Sequence, residues 1–253
     1  MISTTTTGTT STGTVTRMPE AALFDLLSWM SPAWPIGSFA HSGGLEWAVD
    51  QDHVRCRAST VAWIGALLDH GAIRQDVVLF VHAWRAAEDC DGERLGKVAE
   101  LAAAAQTGAE RRLEATAQGA AFRRIAVASL GDETPALGYF AALLAGIDDD
   151  DLTYPVAAAA LFASHGIGLR PGLAAWLHGA VANLVSAAQR LVPLGQTDGQ
   201  IALRELRGPI LAAAERAAEL PDGDPFAALG GCALLAELGC MAHETQYTRL
   251  FRT

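Results

Sequence analysis

Two short segments punctuated by proline and glycine interrupt a chain otherwise rich in alanine: SPAWPIGSFAHSGGLEW, from Ser31 to Trp47, and VPLGQTDGQ, from Val192 to Gln200. Proline fixes φ and lacks an amide donor, while glycine admits conformations closed to other residues. Neither belongs inside a helix, so both segments hold defined turns between helices. Elsewhere apolar residues recur at helical spacing, as at Leu23, Leu26, Leu27 and Met30, and β-branched residues do not cluster in alternating runs. The fold class that follows is all-α: one compact, irregular bundle of about ten helices, too broken for a coiled coil. A chain of 253 residues with no linker-like stretch is expected to be one domain.

Residues 1–17 are almost entirely Thr, Ser and Gly, with too little apolar surface to offset the entropy of ordering, and are expected to be a disordered tail. The helical domain is expected over 18–242, with 243–253 as a separate C-terminal tail. A net charge of −10 repels phosphate backbones and anionic lipid, which excludes nucleic acid as a partner. No apolar run reaches the roughly twenty residues of a membrane helix, and the start lacks a secretory leader, so no membrane is expected and a cytoplasmic location is. Cys56, Cys90, Cys232 and Cys240 form no CxxC pair and have no histidine at zinc-site spacing, and are expected to be reduced thiols.

Local punctuation sets further expectations. Ser59 or Thr60 is placed to cap the helix carrying Val61, Ile64, Leu67 and Leu68. Thr107 and Gly108 precede a long helix from Ala109 to Leu130, and Asp132 to Pro135 start another. The acidic run from Asp148 to Asp151 lacks EF-hand spacing and suits a helix start better than a cation site. The helix after the second special segment is expected to be disturbed at Gly208 and Pro209, and the last major helix to run from about Pro225 towards Met241.

In the first segment, Ser42 can cap the helix bearing Glu46, Phe39 can anchor the loop in the core, and His41 is expected to be exposed or locally hydrogen-bonded. In the second, Asp198 can cap the following helix, whereas Gln196, Thr197 and Gln200 suit either pinning the turn or meeting another chain. The segment lacks the lysine of a phosphate-binding loop and the spacing of a dinucleotide fingerprint, so no nucleotide cofactor is expected. Glu110 and Glu114 near a helix start suit the dipole, and with Arg112 they fit a solvated face or a partner surface equally. No nucleophile elbow surrounds Ser42, and the histidines form no metal-binding helix motif, so neither a catalytic nor a closed metal site is expected. In the tail, Tyr247, Leu250 and Phe251 beside Arg249 and Arg252 have the composition of an interface centre. Such a terminus is expected to be mobile alone and ordered by a partner, with docking on the chain's own bundle as the alternative.

Three segments together resemble the UreF family of urease accessory proteins. Ser31, Pro32, Pro35, Gly37, Phe39, Ser42, Gly44, Leu45 and Glu46 match its SPxxPxGxFxxSxGLE stretch. VPLGQTDGQ is similar to its PLGQ(T/S)DxQ turn, and HETQYTRLFRT, from His243, to its C-terminal HExQxxRLFRS. Glu110, Arg112, Glu114 and Gly119 resemble a further polar signature. Trp34, the Ala40–His41 pair and Gly43 depart from the pattern without disturbing its backbone punctuation. The resemblance implies an all-α, dimeric, non-enzymatic maturation factor that bridges UreD (also called UreH) and the GTPase UreG, and docks on apo-urease for GTP-dependent nickel insertion. It marks a surface for partners on Pro35, Gly37, Ser38, His41, Ser42, Glu46, Glu110, Arg112, Gln196, Thr197, Asp198, Gln200, Glu244, Tyr247, Arg249, Leu250, Phe251 and Arg252. The rival readings are a nickel-binding metallochaperone in its own right and a small all-α hydrolase using His41 and Glu46.

Overall fold

Helix α8 (Tyr154–Ser164) is buried along its whole length from Pro155 to Ala163, and the rest of the molecule is assembled around it. Its AAAA core offers no bulky side chain, so neighbouring helices approach on every side. The computed structural model describes residues 18–130 and 134–252, which contain twelve α-helices, one short 3-10 turn and no strand. The Thr-rich residues 1–17, and Asp132 and Glu133, lie outside the described residues.

Before α8 come α1 (Glu20–Trp29), the 3-10 turn Ser38–Ala40, α2 (Leu45–Asp50), α3 (Arg57–Asp69), α4 (Ala72–Glu88), α5 (Gly92–Ala104), α6 (Ala109–Leu130) and α7 (Pro135–Leu144). After it come α9 (Leu169–Leu191), α10 (Gln196–Ala218), α11 (Pro225–Ala228) and α12 (Leu234–His243). Helices α4 and α6 make the main packing against α8, while α9 and α10 form a hairpin closed by the second special segment. Gly119 is what lets α6 approach so closely. A Cβ there would overlap the carbonyl oxygen of Leu152, and no relaxation of side chains could relieve a clash with backbone.

The main core cluster is threaded by aromatic rings. Trp34 of the first loop meets Phe122, which meets Tyr154, then Trp176, Phe80, Phe162 and Trp29, at centroid spacings of 5.4–6.2 Å. A second, smaller cluster gathers Leu45, Ala48, Val54, Ala187, Ala188, Val192 and Phe251, tying α2, the end of α9 and the tail together.

Several local expectations are corrected. Cys56, not Ser59 or Thr60, is the N-cap of α3; Ser59 Oγ accepts from the Cys56 amide at 3.1 Å, and Thr60 is turned into the interior. Helix α10 runs unbroken through Pro209, because that residue lies on the exposed face, where water can take the carbonyl that proline leaves unpaired. The stretch after Pro225 is two helices, separated at Gly230 and Gly231. The acidic run precedes α8 and is tied to α6: Asp149 pairs with Arg123, and Asp151 with Arg112 at 3.3 Å. Among the described residues, no helix is long and apolar enough to cross a membrane. All four cysteines are free.

Candidate functional site

The first loop turns on Gly37 and Gly44, both left-handed, with φ values of 81° and 80°. The 3-10 turn lies between them, and α2 starts at Leu45. Ser42 is fully buried, and its Oγ accepts from the Glu46 amide at 3.3 Å, satisfying one of the free donors at the start of α2. Gly44 itself occupies the cap position, because a Cβ there would sit 2.7 Å from Cys240 Sγ on α12.

Phe39 is placed opposite to expectation, and of the two placements expected for His41 the exposed one is not found. Phe39 does not enter the core; it is 66% exposed, with the Arg190 guanidinium 3.7 Å above its ring. Arg190 also donates to the Phe39 carbonyl at 2.7 Å. The loop is bracketed by left-handed turns at Gly37 and Gly44, and the geometry they impose turns Phe39 outward while Ile36 goes in. His41, in contrast, is buried rather than exposed, and burial pushes its pKa below the ordinary histidine value.

The tail expected to be mobile is fastened to this loop instead. His243 is the last residue of α12 and has no exposed surface. Its Nδ1 lies 2.7 Å from Glu110 Oε2 and its Nε2 3.1 Å from Glu46 Oε2. Glu46 then accepts the amides of Leu250 at 2.6 Å and Phe251 at 2.9 Å, and Glu110 accepts from Arg249 at 2.7 Å. The amide of Arg252 donates to the Ala40 carbonyl at 2.8 Å. Phe251 is buried in the smaller cluster, with Arg190 4.2 Å over its ring, so one arginine is held between two phenyl rings. The physical reason is that these tail amides, which no helix satisfies, and one aromatic side chain find in one groove a carboxylate, a carbonyl and an apolar slot.

Glu244 continues the arrangement by accepting from the amides of Ala109 at 2.7 Å and Glu110 at 3.4 Å, so a side chain from the tail caps α6. Carboxylate oxygens of Glu110 and Glu46 face the two ring nitrogens of His243, and Arg249 pairs with Glu110 as well. Because Glu46 and Glu110 approach from opposite sides of the ring, the three groups do not converge on a point where an ion could sit. Among the described residues, no cluster of three His, Cys, Asp or Glu side chains could hold a metal ion.

Beside this network is a second one, of which the sequence singled out only Glu114. Arg111 donates to Glu114 at 2.9 Å and to Asp76 at 3.3 Å, while Gln106 and Gln118 cover the same two carboxylates. Burial raises the Asp76 pKa and opposes charge on Arg111, but Glu114 and Asp76 more than compensate and hold the guanidinium protonated. Burial also pushes the Cys240 thiol up to about 11, so it is a packing group against Gly44 and not a reactive one. Arg111 and Arg190 each sit in an ordinary-looking helical context, and only their partners from distant segments mark them.

The other segments divide. Glu110 belongs to the buried network, whereas Arg112 points to Asp151 on the other side. In the second special segment, Asp198 lies within the first turn of α10 and pairs with Arg57 at 2.9 Å, so it is not the cap; Gly195 is. Gln196 receives a hydrogen bond from Gln189 at 3.3 Å, and Gln196, Thr197 and Gln200 are exposed. This segment joins the site through Val192, which packs in the same cluster as Phe251. Pro35 and Leu250 are exposed, Ser38 is half-buried, and Tyr247 stands entirely clear of the surface. The result is a loop and a tail that leave Phe39, Tyr247 and Leu250 exposed while a hydrogen-bonded network joins them underneath.

A family model described as UreF matches residues 54–207. The urease accessory protein UreF of Rhodopseudomonas palustris (strain HaA2) is 43% identical over 241 residues, covering 95% of this chain and 98% of that protein. That of strain BisB5 is 44% identical over 245 residues, 97% of each. The urease accessory protein UreF of Bradyrhizobium sp. (strain ORS 278) is 42% identical over 238 residues, 92% of each. The family model thus covers the chain from just before α3 to the middle of α10, and these relatives extend over nearly the full chain.

Proposed function

This chain belongs to the UreF family, and from that premise we propose that it serves urease maturation as a scaffold, bridging UreD and the GTPase UreG on apo-urease during nickel insertion. The observation that carries this reading is the joining of the first loop to the C-terminal tail. Segments 197 residues apart are bonded through Glu46 and His243, and each presents exposed apolar side chains, Phe39 on the loop and Tyr247 and Leu250 on the tail. Exposed aromatic and aliphatic side chains on segments whose backbone is anchored suit recognition of another protein, since less backbone entropy remains to be lost on binding. The polar groups of the loop act inward: both oxygens of Glu46 are engaged by the tail, which disfavours the hydrolase reading in which Glu46 works on a substrate. The opposed placement of Glu46 and Glu110 about His243 disfavours the metallochaperone reading in the same way.

On this reading the chain acts in the cytoplasm as a homodimer, takes no cofactor, and offers the exposed Gln196, Thr197 and Gln200 as a second contact region. The test is co-purification with UreD and UreG, followed by activation of apo-urease with and without this chain. Tyr247→Ala should leave the melting temperature unchanged, because the side chain is fully exposed, yet reduce UreD capture and urease activation. Full capture and activation by Tyr247→Ala, Leu250→Ala and Phe39→Ala alike would remove these side chains from the assembly.

A further inference from the structure

The groove under the tail has the construction of a peptide-recognition site, and the tail is its occupant. Its walls are rigid elements: α2 supplies Glu46, the 3-10 turn supplies the Ala40 carbonyl, and the last turn of α9 supplies Arg190. Its recognition is mainly of backbone. Glu46 takes two consecutive amides, those of Leu250 and Phe251, and Ala40 takes the next, that of Arg252. One side-chain slot gives specificity, the pocket of Leu45, Ala48, Val54, Ala187, Ala188 and Val192 that receives the Phe251 ring. The backbone bends at Leu250 and Phe251, which turns two consecutive amides toward one carboxylate, and capture through main-chain hydrogen bonds with a side-chain pocket for specificity is a general mode of peptide recognition.

The occupant differs in kind from the groove. Beyond Gln246 the tail has no helix, and Tyr247 and Leu250 project away from the body. Its attachment therefore resides in the three amides, the Phe251 ring and the Arg249–Glu110 pair. Nothing in that set requires the segment to come from the same chain. A cis segment prevails because tethering gives it an effective concentration in the millimolar range, not because its contacts are unique.

We infer that this groove is a receptor for a bent Arg-Leu-Phe-Arg segment, filled in cis by residues 249–252 and open to the same residues of a second copy of this chain when the cis segment is displaced. Reciprocal exchange would leave every amide and carboxylate satisfied, so two copies could trade tails without burying an unpaired charge. Neither UreD nor UreG is needed for such an exchange, and its failure would leave the scaffold reading intact.

The experiment uses the full chain and a fluorescent peptide of residues 244–252. Phe251→Ala empties the slot, and the variant should bind the peptide saturably, with a rise in its melting temperature. The wild-type chain should bind the same peptide at least about tenfold more weakly, because its own tail competes at high effective concentration. A peptide with alanine in place of its phenylalanine should not bind either protein. Should Phe251→Ala fail to fold by circular dichroism, Leu250→Pro serves instead, since it removes one amide bonded to Glu46 and keeps the core ring. A folded variant that does not bind the peptide, or that binds the alanine peptide equally well, overturns the inference.

Discussion

Nε2 of His243, at the end of the last helix, lies 3.1 Å from Oε2 of Glu46, in the first turn of α2. Both side chains are buried, and through this contact the C-terminus of the fold is fixed to its first loop. The same carboxylate carries two tail amides, so its removal leaves several buried donors without an acceptor at once.

Glu46→Ala is accordingly expected to destabilise the protein by about 3 kcal/mol, the range for breaking a buried charged network by deleting one member. The amides of Leu250 and Phe251 should lose their protection from hydrogen exchange before the core helices do. Protection retained at both amides would show that Glu46 does not hold the tail.

The two left-handed glycines of the first loop should respond unequally. A Cβ at Gly37 would have no atom within 4 Å, so Gly37→Ala meets only backbone strain, costing about 1 kcal/mol. Gly44→Ala adds a clash with Cys240 Sγ, 2.7 Å from the new Cβ, and should cost about 1–3 kcal/mol more. Denaturant titration of both variants measures the difference, and equal costs would mean that α2 and α12 can separate freely.

His41 sets an expectation for pH. Its folded pKa lies below the ordinary value of 6.5 because burial disfavours the charged ring. Below that value the unfolded chain takes up the proton first, so this group's contribution is neutral at high pH, and stability falls as pH drops through 6.5 towards the folded pKa. Melting temperatures measured from about pH 7.5 down to about pH 5, a range that brackets the histidine value, should show a shallower acid limb for His41→Gln than for wild type. Parallel curves would remove His41 from that limb.

Nickel calorimetry on the isolated chain is expected to show no submicromolar site. Cys240 is protonated at neutral pH by burial, and the two carboxylates nearest His243 occupy opposite ring nitrogens. A one-to-one site lost in His243→Ala would instead place the metal at this network and displace the scaffold reading.

The helical class, most helix positions and the identity of the two turns were legible in the chain before any folding, because they depend on local rules: apolar spacing, proline without an amide, and glycine at positive φ. Gly37 and Gly44 were legible in this way, and so was the family to which the chain belongs. Local rules could not reveal that Phe39 faces out, that α10 passes through Pro209, or that the tail is docked. Each of these is settled by the tertiary surroundings: Arg190 over Phe39, the exposed face on which Pro209 lies, Glu46 beneath Leu250 and Phe251. The composition of the tail marked it as an anchor but could not decide between docking on a partner and docking on its own bundle. It is ordered because α2, α6 and α9 arrive together with a carboxylate, a second carboxylate and a guanidinium, and such convergence of separate segments exists only once the helices have packed.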